Sequence, residues 1–132
     1  YNQSSVIPYR LRGGKPEILI VLSSRHNHWV VPKGIHEPGL TAQQSAAKEA
    51  FEEAGIEGII ETTAGSYRFH KWGASCTVSV YTMQVTRVIP NSEWEESHRT
   101  RQWVSPQQAA KLVGQAALIP MLLALEKNQP DA

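Results

Sequence analysis

Residues 30–56, VVPKGIHEPGLTAQQSAAKEAFEEAGI, limit the fold more tightly than any other stretch of the chain. A Pro-Lys-Gly turn leads into a loop with Glu37 and then into a helix that carries Glu49, Glu52 and Glu53. Thr41 is placed to cap that helix, and Gln44 three residues on completes a capping box. Ala42, Ala46, Ala47, Ala50 and Ala54 give it a thin surface for close packing. Gly55 is expected to end it in a left-handed conformation. At about 3.6 residues per turn, the three glutamates share one face. Like charges at that spacing repel each other. A hard divalent cation with oxygen ligands would offset the repulsion, and Mg²⁺ commonly grips substrate phosphates as well.

The remaining segments read mostly as strands around this helix. Residues 4–10 predict a short strand, with Pro8 at an edge or bulge. Residues 12–16 form a turn, and 17–23 a continuously apolar, buried central strand. A polar loop at 24–28 precedes a short strand at 29–31, stopped by Pro32. Residues 58–67 read as an irregular strand, 69–73 as a turn, and 74–88 as one long alternating strand. After an acidic loop at 89–98 comes a strand at 99–104. Ser105 and Pro106 start a helix over 107–113, and a last helix over 116–127 begins or kinks at Pro120. The order β-β-β-α-β-β-β-α-α predicts an α/β protein of the α+β type, a mixed β-sheet sandwiched between α-helices.

Bulk properties narrow the function. A chain of 132 residues is expected to form a single domain over 1–132. With 41% hydrophobic and 19% charged residues it is globular rather than disordered. A net charge of +1 argues against nucleic acid as a partner. The single cysteine, Cys76, excludes an internal disulfide and a multi-cysteine zinc site, and is expected in a buried strand. No run reaches the roughly 18 apolar residues needed to span a membrane. With no signal-peptide pattern in view, a reducing, cytoplasmic setting is expected.

Gly34, Glu49, Glu52, Glu53, Gly55 and Ile56 stand in a fixed register. That stretch resembles the Nudix box: Gly, five residues, Glu, seven residues, then Arg-Glu-aliphatic-x-Glu-Glu-x-Gly-aliphatic. Leu40 stands where the box has its first Glu, Lys48 where it has Arg, and Ala50 where it has a larger aliphatic residue. The similarity runs on over about residues 10–110. Ser23-Ser24-Arg25-His26, Trp29-Val30-Val31-Pro32, the loop with Trp94-Glu95, and Arg99-x-Arg101-x-Trp103 look like the diphosphoinositol polyphosphate phosphohydrolase subgroup. Lys33-Gly34-Ile35 replaces the subgroup's triple-Gly turn, and its basic stretch before the first strand is absent from residues 1–3.

The resemblance implies a Nudix fold and metal-dependent hydrolysis of a phosphoanhydride, in a dinucleoside polyphosphate or a diphosphoinositol polyphosphate. It implies Mg²⁺, with Mn²⁺ as the alternative, on Glu49, Glu52, Glu53 and the Lys33 carbonyl. Glu52 and Glu53 become the catalytic pair, with Glu52 as general base or further ligand. Arg10, Ser23, Ser24, Arg25 and Lys33 become the substrate-binding set. Further cations, among them His26, His36, Arg68, His70, Lys71, Arg99 and Arg101, are candidates to face the metal. Trp72 and Trp94 lie in loops and are expected to be free for stacking, whereas Trp29 and Trp103 belong to the core. The partner is a small phosphorylated molecule, and the oligomeric state, a homodimer included, is left open. In the family the box Glu and Arg hold loop and helix together. Their replacement opens the alternative of a weakly active binding or regulatory module.

Overall fold

The computed structural model describes residues 1–25 and 27–127, so the expectation for His26 lies outside the described residues. Seven strands build one sheet: β1 (Asn2–Arg12), β2 (Lys15–Leu22), β3 (Trp29–Val30), β4 (Lys33–Ile35), β5 (Ile56–Lys71), β6 (Ala74–Val88) and β7 (Arg101–Val104). Their spatial order is β3-β2-β1-β6-β5, with β4 also pairing β1 and β7 also pairing β2. The β1–β6 pair is parallel and the other pairs are antiparallel. The sheet is therefore mixed, as expected. The helices are α1 (Ala42–Glu49), α2 (Pro106–Leu112) and α3 (Ile119–Lys127). A π-helical turn, Ala50–Ala54, continues α1, and a 3₁₀ turn, Ala116–Leu118, precedes α3.

Both faces of the sheet are buried, which is why residues 18–22 of β2 are apolar without a break. Ile7, Ile18, Ile20, Val78 and Val80 face one way, against Leu118, Leu122 and Leu125 of the C-terminal helices. Val6, Leu19, Val21 and Met83 face the other way, against Ala46, Ala50 and Ala54. Tyr81 alternates with Val80 as predicted, yet it too is buried, beneath the alanine face. Cys76 lies in the core with no exposed surface.

Several boundaries differ from the sequence reading. β1 extends to both sides of 4–10 because Asn2 and Gln3 pair with β6, while Leu11 and Arg12 pair with β2. Residues 33–35 form β4, which the pattern hides: three residues carry no legible alternation, and only pairing with Gln3, Ser4 and Ser5 makes them a strand. Phe69, His70 and Lys71 belong to β5 rather than to a turn, since they pair with Cys76, Ser75 and Ala74. Three register shifts inside β5–β6 account for its irregular pattern.

Among the described residues, no helix is long and apolar enough to cross a membrane.

Candidate metal and substrate site

The loop before α1 and the helix itself are locked locally. Thr41 Oγ1 accepts from the Gln44 amide while Gln44 Oε1 accepts from Thr41 N–H, so the capping box forms as read. The Glu37 amide donates to Ser45 Oγ at 3.0 Å. Ala46, Ala50 and Ala54 have no exposed surface and let the helix backbone sit close to the sheet. The helix ends at Gly55, whose φ of +63° suits glycine.

The end of this helix differs from the expectation of one α-helical face. In the π turn each residue advances by less than the roughly 100° implied by 3.6 residues per turn. Glu53 therefore stays in line with Glu49, while Glu52 falls behind. Glu49 reaches over Gly34, where a methyl group on the Gly34 Cα would stand 2.1 Å from the carboxyl carbon of Glu49. Glu53 Oε1 accepts the Lys33 main-chain N–H at 2.8 Å. Glu52 turns instead toward Lys48, 3.8 Å away, and the groove lined by Phe51 and Trp94.

Two residues that sequence reasoning set among many surround this end. Arg101 donates to the carbonyls of Ala54, Gly55 and Ile89, which closes the helix C-terminus rather than facing a ligand. Trp94 is 4% exposed, packs beneath Arg101 at 4.3 Å, and donates its indole N–H to the Glu52 carbonyl. It is a bracing core residue and not the free stacking surface expected from its loop position. Trp72, 95% exposed, stands at the β5–β6 turn. Trp103 is half-buried under Arg10, and Trp29 half-buried beside the C-terminal core.

Arg99 and Glu96 complete the site. Arg99 is buried, donates to the Leu22 carbonyl at 2.8 Å and to Glu96 Oε1 at 3.0 Å, and lies 3.8 Å from Glu53 Oε2. It ties the end of β2 to the carboxylates. Glu96 was not singled out from the sequence, where the only signal was the acidic character of its loop.

Electrostatics follow from this crowding. Burial, then Glu53 and Glu52, pushes the Glu49 carboxyl up to about 7. Burial also raises Glu53, against the opposing Lys33 N–H and Arg99. Lys33 is held below the usual lysine range by burial, which outweighs the attraction of Glu53. Among the described residues, no three His, Cys, Asp or Glu side chains stand close enough to form a ready-made metal cage. The donor set is nevertheless all oxygen and carries net negative charge at close quarters, which suits a hard divalent cation. Glu49 and Glu53 are the two glutamates that converge on the Lys33–Gly34 backbone and could hold one.

The brace between loop and helix is rebuilt. Lys48 Nζ sits 2.8 Å from both oxygens of Glu37, three residues before Leu40. Glu37 supplies the carboxylate that position 40 lacks. Ser23 bonds Asn27, and Arg25 is exposed, in the loop that follows Leu22, whose carbonyl Arg99 bonds. Arg10 is elsewhere, paired with Glu17 at 2.8 Å and stacked over Trp103 at 4.1 Å.

Comparison with known proteins agrees with this architecture. The model of the NUDIX domain family matches residues 2–124. Diphosphoinositol polyphosphate phosphohydrolase 3-beta of Bos taurus is 34% identical over 101 residues, covering 74% of this chain and 60% of that protein. The mitochondrial Nudix hydrolase 12 of Arabidopsis thaliana is 30% identical, covering 83% of this chain and 64% of the relative. This chain thus spans less than two thirds of the length of these relatives. A binary complex of the C. elegans Ap4A hydrolase superposes with a TM-score of 0.75 at 24% identity, over 92% of each chain.

Proposed function

The chain belongs to the NUDIX domain family, and from that premise we propose that it hydrolyses a phosphoanhydride bond in a highly phosphorylated small molecule. The substrate class is a dinucleoside polyphosphate or a diphosphoinositol polyphosphate, with Mg²⁺ at the carboxylates and Mn²⁺ as the alternative. One observation carries the reading: Glu49 and Glu53 converge on the Lys33–Gly34 backbone with more negative charge than their neighbours offset.

A bound divalent cation supplies charge neutralisation and a more acidic water. Glu49 and Glu53 would hold it, beside the Lys33 main chain. Glu52, turned outward and partly solvated, accepts a proton as general base or adds a ligand. Arg99 keeps Glu53 and Glu96 in place, and Ser23, Ser24, Arg25 and Lys33 flank the phosphates. Arg10 would join them only for a substrate long enough to reach the far half of β1.

Glu53→Gln is expected to leave the melting temperature nearly unchanged and to lower turnover at least about a hundredfold. Near-normal phosphate release from a pyrophosphate panel would sink these roles. The replacements in the box at Leu40 and Lys48 favour a second reading, a weakly active binding or regulatory module. Ligand-induced stabilisation without phosphate release would select it.

A further inference from the structure

Ser4 lies on the central strand of the sheet with no exposed surface, and its hydroxyl has no hydrogen-bond partner. Alternation along β1 fixes where it points. Val6, two residues on, packs against Ala46, Ala50 and Ala54, so Ser4 stands on the same face, under α1. Ser5 points the other way and is satisfied, donating its hydroxyl to the Pro32 carbonyl at 2.7 Å.

The residue opposite Ser4 in β4 is Gly34. Residues directly opposite in antiparallel strands share a face, with Cβ positions about 4.5–5.5 Å apart. A Cβ on Gly34 would stand 2.1 Å from the Glu49 carboxyl carbon and 2.2 Å from its Oε1. The Glu49 carboxylate therefore fills the side-chain place that Gly34 leaves open, beside the Ser4 hydroxyl.

We propose that Ser4 is a positioning residue for the cation site. With a divalent cation at the carboxylates, its hydroxyl donates to the Glu49 carboxylate and braces it against the Gly34 backbone, where it converges with Glu53. The inference rests on the metal reading above and adds the group that orients one of its two carboxylates.

The two partners match in what each lacks. Glu53 is oriented by the Lys33 N–H at 2.8 Å, and Glu52 faces Lys48 at 3.8 Å. Among the described residues, no hydrogen bond orients the Glu49 carboxylate. A buried hydroxyl without a partner lowers stability, because the water it loses on folding is not replaced. An apolar side chain avoids that cost, as Val6 does at the next position on this face. Ser79, the neighbour of Ser4 on β6, does not bond it either. A carboxylate is the stronger acceptor, since hydrogen bonds to an ionised group exceed those between neutral groups. The flexible Glu49 side chain needs only a small rotation to close the gap. A bond of this kind to a metal-binding carboxylate typically contributes about 10–100-fold in metal affinity.

Mn²⁺ alone, titrated into the protein and followed by the electron paramagnetic resonance of the free ion, reads the site without turnover. The proteins to compare are the wild type, Ser4→Ala, Ser4→Cys, Ser79→Ala and Glu53→Gln. Cysteine fills the space but donates weakly, so it separates packing from hydrogen bonding and covers a failure of Ser4→Ala to fold. Ser4→Ala and Ser4→Cys should each bind Mn²⁺ at least about tenfold more weakly than the wild type, while Ser79→Ala should bind it equally well. The metal-free melting temperature of Ser4→Ala should hold or rise, because an unpaired hydroxyl has been removed. A residue that only packs would do the reverse, lowering the melting temperature and leaving the affinity of the folded protein intact. Unchanged Mn²⁺ affinity in Ser4→Ala, or a loss there that Ser4→Cys does not share, overturns the proposal. If Glu53→Gln loses Mn²⁺ and Ser4→Ala does not, only the role of Ser4 is removed. If the wild type binds Mn²⁺ no better than Glu53→Gln does, the metal reading falls and this inference with it.

Discussion

The two helical layers of this protein solve different problems with the same sheet between them. The C-terminal layer fills space. Leu118, Leu122 and Leu125 reach into the strands, and little of its outer face takes part in the candidate chemistry. The α1 layer does the reverse. Its contact surface is Ala46, Ala50 and Ala54, so it sits low on the sheet, and its glutamates stand at the level of the β4 backbone. Bulk on one side and closeness on the other suggest that stability and activity are separable, and each substitution below tests that division.

The largest effect on stability is expected opposite the site. Leu122→Ala empties a fully buried position and should cost about 2–5 kcal/mol, read by denaturant unfolding. Whatever remains folded should keep its activity per molecule. Gly34→Ala should do the opposite. The new methyl group would collide with the Glu49 carboxylate, the movable end of a flexible side chain. The melting temperature should hardly move, while turnover falls at least about tenfold. If both variants lose stability and activity in parallel, the division fails.

A pH scan sharpens the same comparison. The Glu49 carboxyl is raised from 4.5 to about 7, so the folded state binds its proton more tightly than the unfolded chain does. The corresponding stability is present below about 4.5 and is lost as pH rises through about 7. The metal-free protein should therefore melt at lower temperature as pH rises across that window. Saturating Mg²⁺, or Glu49→Gln, should flatten the trend. A melting temperature that climbs over this range would show that the carboxylate is not destabilised as described.

The smallest effect is expected at the rebuilt brace. Glu37→Gln removes the partner of an exposed lysine, and exposed ion pairs contribute little to stability. Freed from Glu37, Lys48 can close its 3.8 Å gap to Glu52 and occupy that carboxylate. Activity should fall modestly, by less than in Gly34→Ala, and Lys48→Met in the same protein should restore it. A loss that survives the second substitution would mean that Glu37 acts through the loop and not through Lys48.

Local rules were enough wherever the chain interacts with near neighbours in sequence. Thr41 and Gln44, Ser105 and Pro106, and Gly55 set helix ends through contacts a few residues apart. The long strand at 74–88 was legible from its alternation alone, and the Gly34-to-Ile56 spacing placed the glutamates. The failures share one cause. β4 exists through pairing with Gln3, Ser4 and Ser5. Trp94 is buried because Arg101, seven residues on, folds over it and bonds the end of a distant helix. Glu96 enters the site through Arg99, which reaches back to Leu22.

The sequence by itself determined the family, the mixed sheet between helices and the presence of a carboxylate cluster, because these are written in short-range periodicity and motif spacing. Only the tertiary structure decided where each carboxylate points. Along a π turn braced by Trp94 and Arg101, Glu49 and Glu53 face the Lys33–Gly34 backbone while Glu52 turns toward Lys48. It also decided that Glu37 would serve for the carboxylate missing at Leu40, because loop closure brings residue 37 onto Lys48.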